Sequence, residues 1–264
     1  MLTVTALPAF EDNYIWVLHT GCHAIAVDPG DPAPLLAFLD ARQLALGAIL
    51  ITHHHLDHTG GNTLLRQRYN CAIYGPGNPR IPAVTHRVRE NDTLNFPELE
   101  LSLSVIDTPG HTLDHVSYYG ANHLFCGDTV FGCGCGKLFE GTPEMMADSL
   151  DKILALPDSI RICCAHEYTL SNIEYAKTLD PQNPALLERE RAAISLRKRG
   201  LPTLPSTLAL EKSTNPFLRF HSASMKNLAA HYLGHEPDNA AQVFGAIRAA
   251  KDAWDGVAWD GVAS

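Results

Sequence analysis

The chain has 264 residues, 45% of them hydrophobic and 19% charged, with a formal net charge of -9. That is the balance of an ordinary globular protein with one large or two modest domains and ample material for a core. The acidic excess argues against a general nucleic-acid binder, and no apolar run is long enough to span a bilayer, so neither nucleic acid nor a membrane is expected as a partner.

The first eight residues, Met1 to Pro8, lack the basic start and long apolar stretch of a signal peptide, so export is not expected. Tyr14 to Leu18 and Ala24 to Val27 read as a hairpin that ends at Asp28-Pro29-Gly30, and Pro32 to Ala41 reads as a helix. Leu46 to Ile51 is a short apolar run that reads as a buried strand. A helix over Asn62 to Tyr69 follows, then a strand near Cys71 to Tyr74. Leu99 to Val105 alternates with the period of a half-buried strand. His115 to Tyr119 and His123 to Cys126 are further strands, and Pro143 to Leu156 is a helix that Thr142 can cap. Ile160 to Ala165 is expected to be the last strand.

After about Thr169 the composition turns helical. Pro184 to Lys198, Ser222 to Tyr232 and Asn239 to Trp254 have helical spacing, with Leu201 to Pro216 as a proline-containing connection. Trp254 and Trp259 are expected to pack this part. The division expected is a β-rich domain over residues 1–168 and a helical domain over 169–264. The seven cysteines form no disulfide pattern, and Cys133-Gly134-Cys135 reads as a tight turn, so a reducing, cytoplasmic setting is expected.

The most informative stretch is Thr52-His53-His54-His55-Leu56-Asp57-His58-Thr59-Gly60-Gly61, set directly after a strand. In an extended segment alternate side chains share a face, so His53 and His55 point together and His54 points away. A purification tag would be terminal and uninterrupted; this cluster is internal and broken by Leu56 and Asp57. It reads as a metal site. His111, Asp128 and His166 each stand where a strand stops; each is weak alone, but together they bring the set to five imidazoles and two carboxylates.

This pattern resembles the binuclear site of the metallo-β-lactamase superfamily. The resemblance implies an α+β fold, an αβ/βα sandwich, here followed by a helical C-terminal domain. It also implies two divalent ions, zinc first and iron or manganese as alternatives. By the same resemblance His53, His55 and His111 would hold one ion, Asp57, His58 and His166 the other, and Asp128 both, with a metal-bridging hydroxide as the nucleophile and no side-chain nucleophile. Asp28 is similar to the carboxylate that orients a bound imidazole in this superfamily, although a plain turn residue fits it nearly as well. His115 reads equally as a residue behind the cluster or as part of the core.

Further motifs narrow the resemblance. Pro8 to Tyr14, Gly134 to Thr142, His166-Glu167-Tyr168-Thr169, Asn215 to Arg219 and Arg248 to Asp252 are similar to glyoxalase II, the hydroxyacylglutathione hydrolase family. That family cleaves S-D-lactoylglutathione to D-lactate and glutathione, the second step of methylglyoxal detoxification. A small glutathione thioester is therefore the expected partner, with Lys137, Phe139, Tyr168, Arg248 and Lys251 around it, and a monomer is expected. Arg248 and Lys251 lie on one helix face and can present two cations together; without the resemblance they would read as a solvated face. Phe139 stands where the family often has tyrosine.

Overall fold

The computed structural model describes residues 1–260, with side chains through Gly256. Its first sheet runs in chain order: β1 (Thr3–Ala9), β2 (Asn13–His19), β3 (His23–Val27), β4 (Ala45–Leu50), β5 (Ala72–Gly75) and β6 (His86–Arg87). Its first three strands are antiparallel, and β3 to β6 are parallel neighbours. Between them lie α1 (Pro32–Arg42), the one-turn α2 (Leu56–Thr59) and α3 (Asn62–Tyr69). The second sheet takes β7 (Thr93–Phe96), β8 (Leu101–Asp107), β9 (Val116–Gly120) and β10 (His123–Gly127). After the small hairpin of β11 (Val130–Phe131) and β12 (Gly134–Cys135) and the helix α4 (Pro143–Leu154), it is extended by β13 (Arg161–Cys164). The remainder is α5 (Thr169–Leu179), α6 (Pro184–Lys198), β14 (Ser206–Thr207), α7 (Leu208–Thr214), α8 (Ala223–Leu233) and α9 (Ala240–Asp260).

The period-two alternation explains the layers. In β2, Tyr14, Trp16 and Leu18 face the space between the sheets and join Leu94, Leu103, Val105 and Tyr118 of the second sheet. Ile15 and Val17 face the other way, onto Leu35, Phe38 and Leu39 of α1 and Leu65 of α3. Behind the second sheet, Met146, Leu150 and Ile153 of α4 continue the same core into Phe217, Phe244 and Ile247 of the C-terminal helices. Burying a side chain of this size contributes roughly 1.5–3 kcal/mol.

Three sequence expectations need correction. Ile160 to Ala165 does not hold the last strand: β14 pairs antiparallel with β13 and closes that edge. Leu201 to Pro216 is therefore not a bare connection; it carries β14 and α7, whose Thr207 caps the helix by accepting from Leu210 N. Leu99 and Glu100 belong to a turn, not a strand, because Pro97–Leu99 forms a 3₁₀ helix and Glu100 has φ 50°. β1, α2, β6, β7, β11, β12 and α5 were not anticipated. α1, α3, α4, α6 and α8 fall within a few residues of their expected limits, α9 runs on to Asp260, and Thr142 caps α4 as expected. Trp254 packs against the core; the expectation for the Trp259 side chain falls outside the described residues.

Candidate metal centre

Parallel neighbours end at the same edge of a sheet, and the candidate ligands sit at those ends. His53, His55, Asp57 and His58 follow β4, and Asp28 follows its neighbour β3. Asp128 follows β10, and His166 follows its parallel neighbour β13. His111 follows β8 after Thr108-Pro109-Gly110. Close backbone approach makes this possible at two glycines. A Cβ on Gly127, at φ +45°, would sit 2.3 Å from Thr52 Oγ1, and one on Gly136 would sit 1.9 Å from the Asp128 carbonyl.

The structure brings all seven expected residues together. Donor atoms of His53, His55 and His111 form one compact group, those of Asp57, His58 and His166 a second, and Asp128 joins His53 and His58 in a third. His58 Nε2 and His166 Nε2 each lie 3.5 Å from Asp128 Oδ1. His53, His58, His111, Asp128 and His166 are buried.

The partners behind each ring fix which nitrogen faces inward. The Thr52 hydroxyl donates its one proton to Asp28 Oδ2 at 2.7 Å, so the 3.0 Å contact to His53 must be a donation from His53 Nδ1. His58 Nδ1 lies 3.0 Å from Asp28 Oδ2, His111 Nδ1 2.7 Å from the Lys137 carbonyl and His166 Nδ1 2.7 Å from Asp12 Oδ1. These oxygens only accept, so each Nδ1 carries the proton and each Nε2 turns a lone pair inward. His55 presents Nδ1 instead, 3.0 Å from both His53 Nε2 and His111 Nε2. Lone pairs and carboxylates thus converge with no donor among them. Such a set repels itself unless cations sit within it, and His58 Nε2 and Asp128 Oδ1 are indeed buried with no hydrogen-bond partner. The donor set fits divalent metal ions.

The titration behaviour has the same origin. Burial, with the His58, His115 and His111 rings beside it, pushes His53 well below its ordinary value. Burial would lower His58 too, but the Asp128 and Asp28 carboxylates outweigh it and favour positive charge at Nε2, which a metal ion would supply in place of a proton. Burial would raise Asp128, yet His166 and His58 hold its carboxyl well below the usual range. Opposed shifts within one cleft mark a functional centre.

Asp28 lies where the sequence places it, behind His58 and bonded also to Thr52 N at 2.8 Å. His115 resolves toward the site: its ring stacks on His53 at 4.9 Å, and its Nε2 accepts from Asp128 N at 3.1 Å. Two residues with no role assigned from sequence matter here. Asp12 holds His166, and Asn13 Nδ2 donates to Asp57 Oδ2 at 3.0 Å. Their signal was their place in the Pro8 to Tyr14 motif.

A cavity of about 330 Å³ opens beside the cluster, lined by Asp12, Phe131, Cys135, Lys137, Tyr168, Arg248, Lys251 and Asp255 among others. It gathers four of the five expected substrate-binding residues. Tyr168 stacks on His166 with ring centroids 4.8 Å apart, joining cavity to cluster. Arg248 and Lys251 are not a solvated face; both are buried, Arg248 bonded to Asp252 at 3.0 Å and Lys251 to Asp255. Arg248 Nε is buried without a partner. Phe139 stands apart, exposed, with its ring against His55 and His111 at 5.5 and 5.2 Å.

The hairpin beside this cavity is anchored from below. Cys133, at φ 60°, donates its N–H to buried Glu211, which pairs with buried Arg189. Cys133-Gly134-Cys135 is a structural turn of two free cysteines.

Comparison with known proteins gives the same two parts. The family model described as "Metallo-beta-lactamase superfamily" matches residues 10–166, and the one described as "Hydroxyacylglutathione hydrolase C-terminus" matches residues 167–254. The chain is 68% identical over 256 residues to the hydroxyacylglutathione hydrolase of Thiobacillus denitrificans, covering 97% of this chain and 100% of that one. It is 50% identical over 248 residues to that of Nitrosomonas europaea, covering 94% and 95%. Among solved structures, ETHE1 from Myxococcus xanthus superposes with a TM-score of 0.64 at 21% identity, over 94% of this chain and 97% of that chain. The B3 metallo-beta-lactamase BLEG-1 does so with a TM-score of 0.62 at 24% identity, over 82% and 99%. At those identities the structures establish the fold alone. With two family models covering most of its length and close relatives aligned end to end, the chain belongs to the hydroxyacylglutathione hydrolase family of the metallo-β-lactamase superfamily.

Proposed function

We propose that the protein hydrolyses the thioester of S-D-lactoylglutathione, releasing D-lactate and glutathione. The observation that carries this reading is the near-complete alignment, at 68% identity, with a curated hydroxyacylglutathione hydrolase. The inward-facing donor set and the adjoining cationic cavity supply the chemistry that such a substrate needs.

In this reading His53, His55 and His111 would hold one divalent ion, Asp57, His58 and His166 would hold a second, and Asp128 would contribute to the same centre. Imidazole and carboxylate donors suit zinc, with iron and manganese as alternatives. A divalent metal centre held there would supply Lewis acidity toward the thioester carbonyl and a water acidic enough to react near neutral pH. The protein's own part is orientation. Asp28, Asp12 and the Lys137 carbonyl keep three imidazoles in the tautomer with Nε2 inward. His115 holds the backbone of Asp128 through its N–H, and Asn13 keeps the Asp57 carboxylate aimed. Lys137, Arg248 and Lys251 give the cavity cations for the two glutathione carboxylates, and Tyr168 offers its hydroxyl between cavity and cluster. Phe139 covers the outer side of His55 and His111 and limits water there.

Residues 1–168 form the catalytic domain and 169–264 the helical substrate-binding domain in this reading. A working monomer is part of this reading. Seven free cysteines, six of them buried, support a reducing, cytoplasmic setting. The test is free-thiol release from S-D-lactoylglutathione with and without a chelator. Release that stops on chelation and returns with added zinc is expected; metal-loaded protein that leaves this thioester intact overturns the reading.

A further inference from the structure

His54 is the one histidine of the motif turned away from the donor set, and its surroundings are not those of a solvated side chain. Its side chain is only 7% exposed. Nδ1 lies 3.2 Å from Asp114 Oδ1 and 3.3 Å from Asn78 Nδ2, while Nε2 lies 3.5 Å from Glu140 Oε1. Glu140 is itself committed on both oxygens. Oε1 accepts from Arg80 at 2.8 Å and Oε2 accepts from the Leu113 N–H at 3.0 Å.

His54 and its two acidic partners belong to three separate loops. His54 sits in the turn after β4 that carries His53, His55, Asp57 and His58. Asp114 and Leu113 sit in the loop after β8 that carries His111. Glu140 sits in the loop that carries Lys137 and Phe139. The second and third loops are already joined: Phe139 N and Glu140 N both donate to the His111 carbonyl, at 3.2 and 3.3 Å, and Gly141 N donates to the Gly110 carbonyl at 3.0 Å. Little but His54 ties that pair to the turn after β4 by way of side-chain hydrogen bonds on its outer face. Its ring is also edge-on to His55, with centroids 4.9 Å apart.

We propose that His54 is a positioning residue: with Asp114 and Glu140 it pins the loop of His111 and the loop of Lys137 and Phe139 to the turn that carries His55, and so sets the spacing of His55 and His111. The rings concerned touch the inner donor set, where His111 Nε2 stands 3.0 Å from His55 Nδ1. A tie of this kind acts on the cluster directly and reaches the glutathione cavity only through the backbone of the loop that carries Lys137.

The test uses the full-length zinc-loaded protein and the variants His54→Ala, Glu140→Gln and the double variant. Two quantities are read: the rate of zinc extraction by a chelator, and kcat and KM for S-D-lactoylglutathione. Outer partners of ligand residues are worth about 10–100-fold in metal affinity or activity. Accordingly zinc extraction should quicken by about tenfold or more and kcat should fall about tenfold or more, with KM within about threefold. Because His54 and Glu140 act as one unit, the double variant should lose little beyond the worse single one. Zinc retention and kcat within about twofold of the unaltered protein in His54→Ala, or single losses that multiply in the double variant, would overturn the proposal. If His54→Ala does not fold, Glu140→Gln and Asp114→Asn carry the same two readings. The kcat arm rests on the hydrolase reading above, whereas zinc extraction does not. An unaltered protein that fails to cleave the thioester would thus sink that reading and leave this one to be judged by retention.

Discussion

The histidine cluster and the cationic cavity adjoin, yet they are built on opposite plans. In the cluster three imidazoles are held from behind by a partner from a distant segment: Asp28 behind His58, Asp12 behind His166, the Lys137 carbonyl behind His111. The inner atoms are left bare and converging. In the cavity the charged ends are already taken, Arg248 by Asp252 and Lys251 by Asp255, neighbours four residues along the same helix. The first plan spends the fold on fixing geometry before any ligand arrives. The second keeps two buried cations neutralised, and in the proposed function a substrate carboxylate exchanges with an aspartate. Chemistry is thereby sensitive to sub-ångström placement, and binding only to the difference between two similar ion pairs.

The comparison breaks most easily at the cluster. Removing the metal with a chelator should abolish thioester cleavage, with a loss of at least about a thousandfold in kcat, and added divalent ions should restore it. If metal-free protein keeps its rate, the inward lone pairs have been misread. One step outward, Asp28→Asn and Asp12→Asn each keep the size of the side chain, lose the negative charge behind an imidazole and leave one oxygen instead of two to accept. A fall of about 10–100-fold in kcat or in metal affinity is expected from either, measured by steady-state kinetics and metal titration.

Smaller effects should come from the cavity. Arg248→Ala should raise KM about tenfold, the factor of ~1.4 kcal/mol, and leave kcat within about threefold. A larger change in kcat than in KM would erase the distinction between the two plans. Asp255→Ala sharpens it, because this variant frees Lys251 from the carboxylate it now holds. KM should then fall, by about two- to threefold, as the substrate no longer displaces an internal partner; an increase would mean that Asp255 orients Lys251. Least of all, Phe139→Tyr adds one hydroxyl at an exposed position and should lower KM about twofold, the ~0.5 kcal/mol of a weak net hydrogen bond.

The two regions also differ in how far they could be read in advance. His53, His55, Asp57 and His58 were legible because strand, turn and glycines put them in one local segment. His111, Asp128 and His166 were legible as strand ends, and their convergence could be anticipated through resemblance. Arg248 and Lys251 were legible as a pair on a helix, but not as buried residues held by Asp252 and Asp255. The partners behind the imidazoles were harder. Asp12 and His166 are separated by 154 positions, and Asn13 and Asp57 by 44. No periodicity encodes such a pair. The expected connection over Leu201 to Pro216 failed for the same reason, since two residues suffice for β14 only because β13 waits with an open edge.

By itself the sequence determined what is local: alternating strands that must bury two faces, capped helices, and a turn crowded with metal-binding groups. Tertiary structure alone decided which nitrogen of each ring faces inward, which acid stands behind it, and that two helix cations are buried. Those outcomes depend on packing between distant segments, where one hydroxyl proton or one carbonyl fixes a tautomer, and such contacts exist only once the sheets have closed on each other.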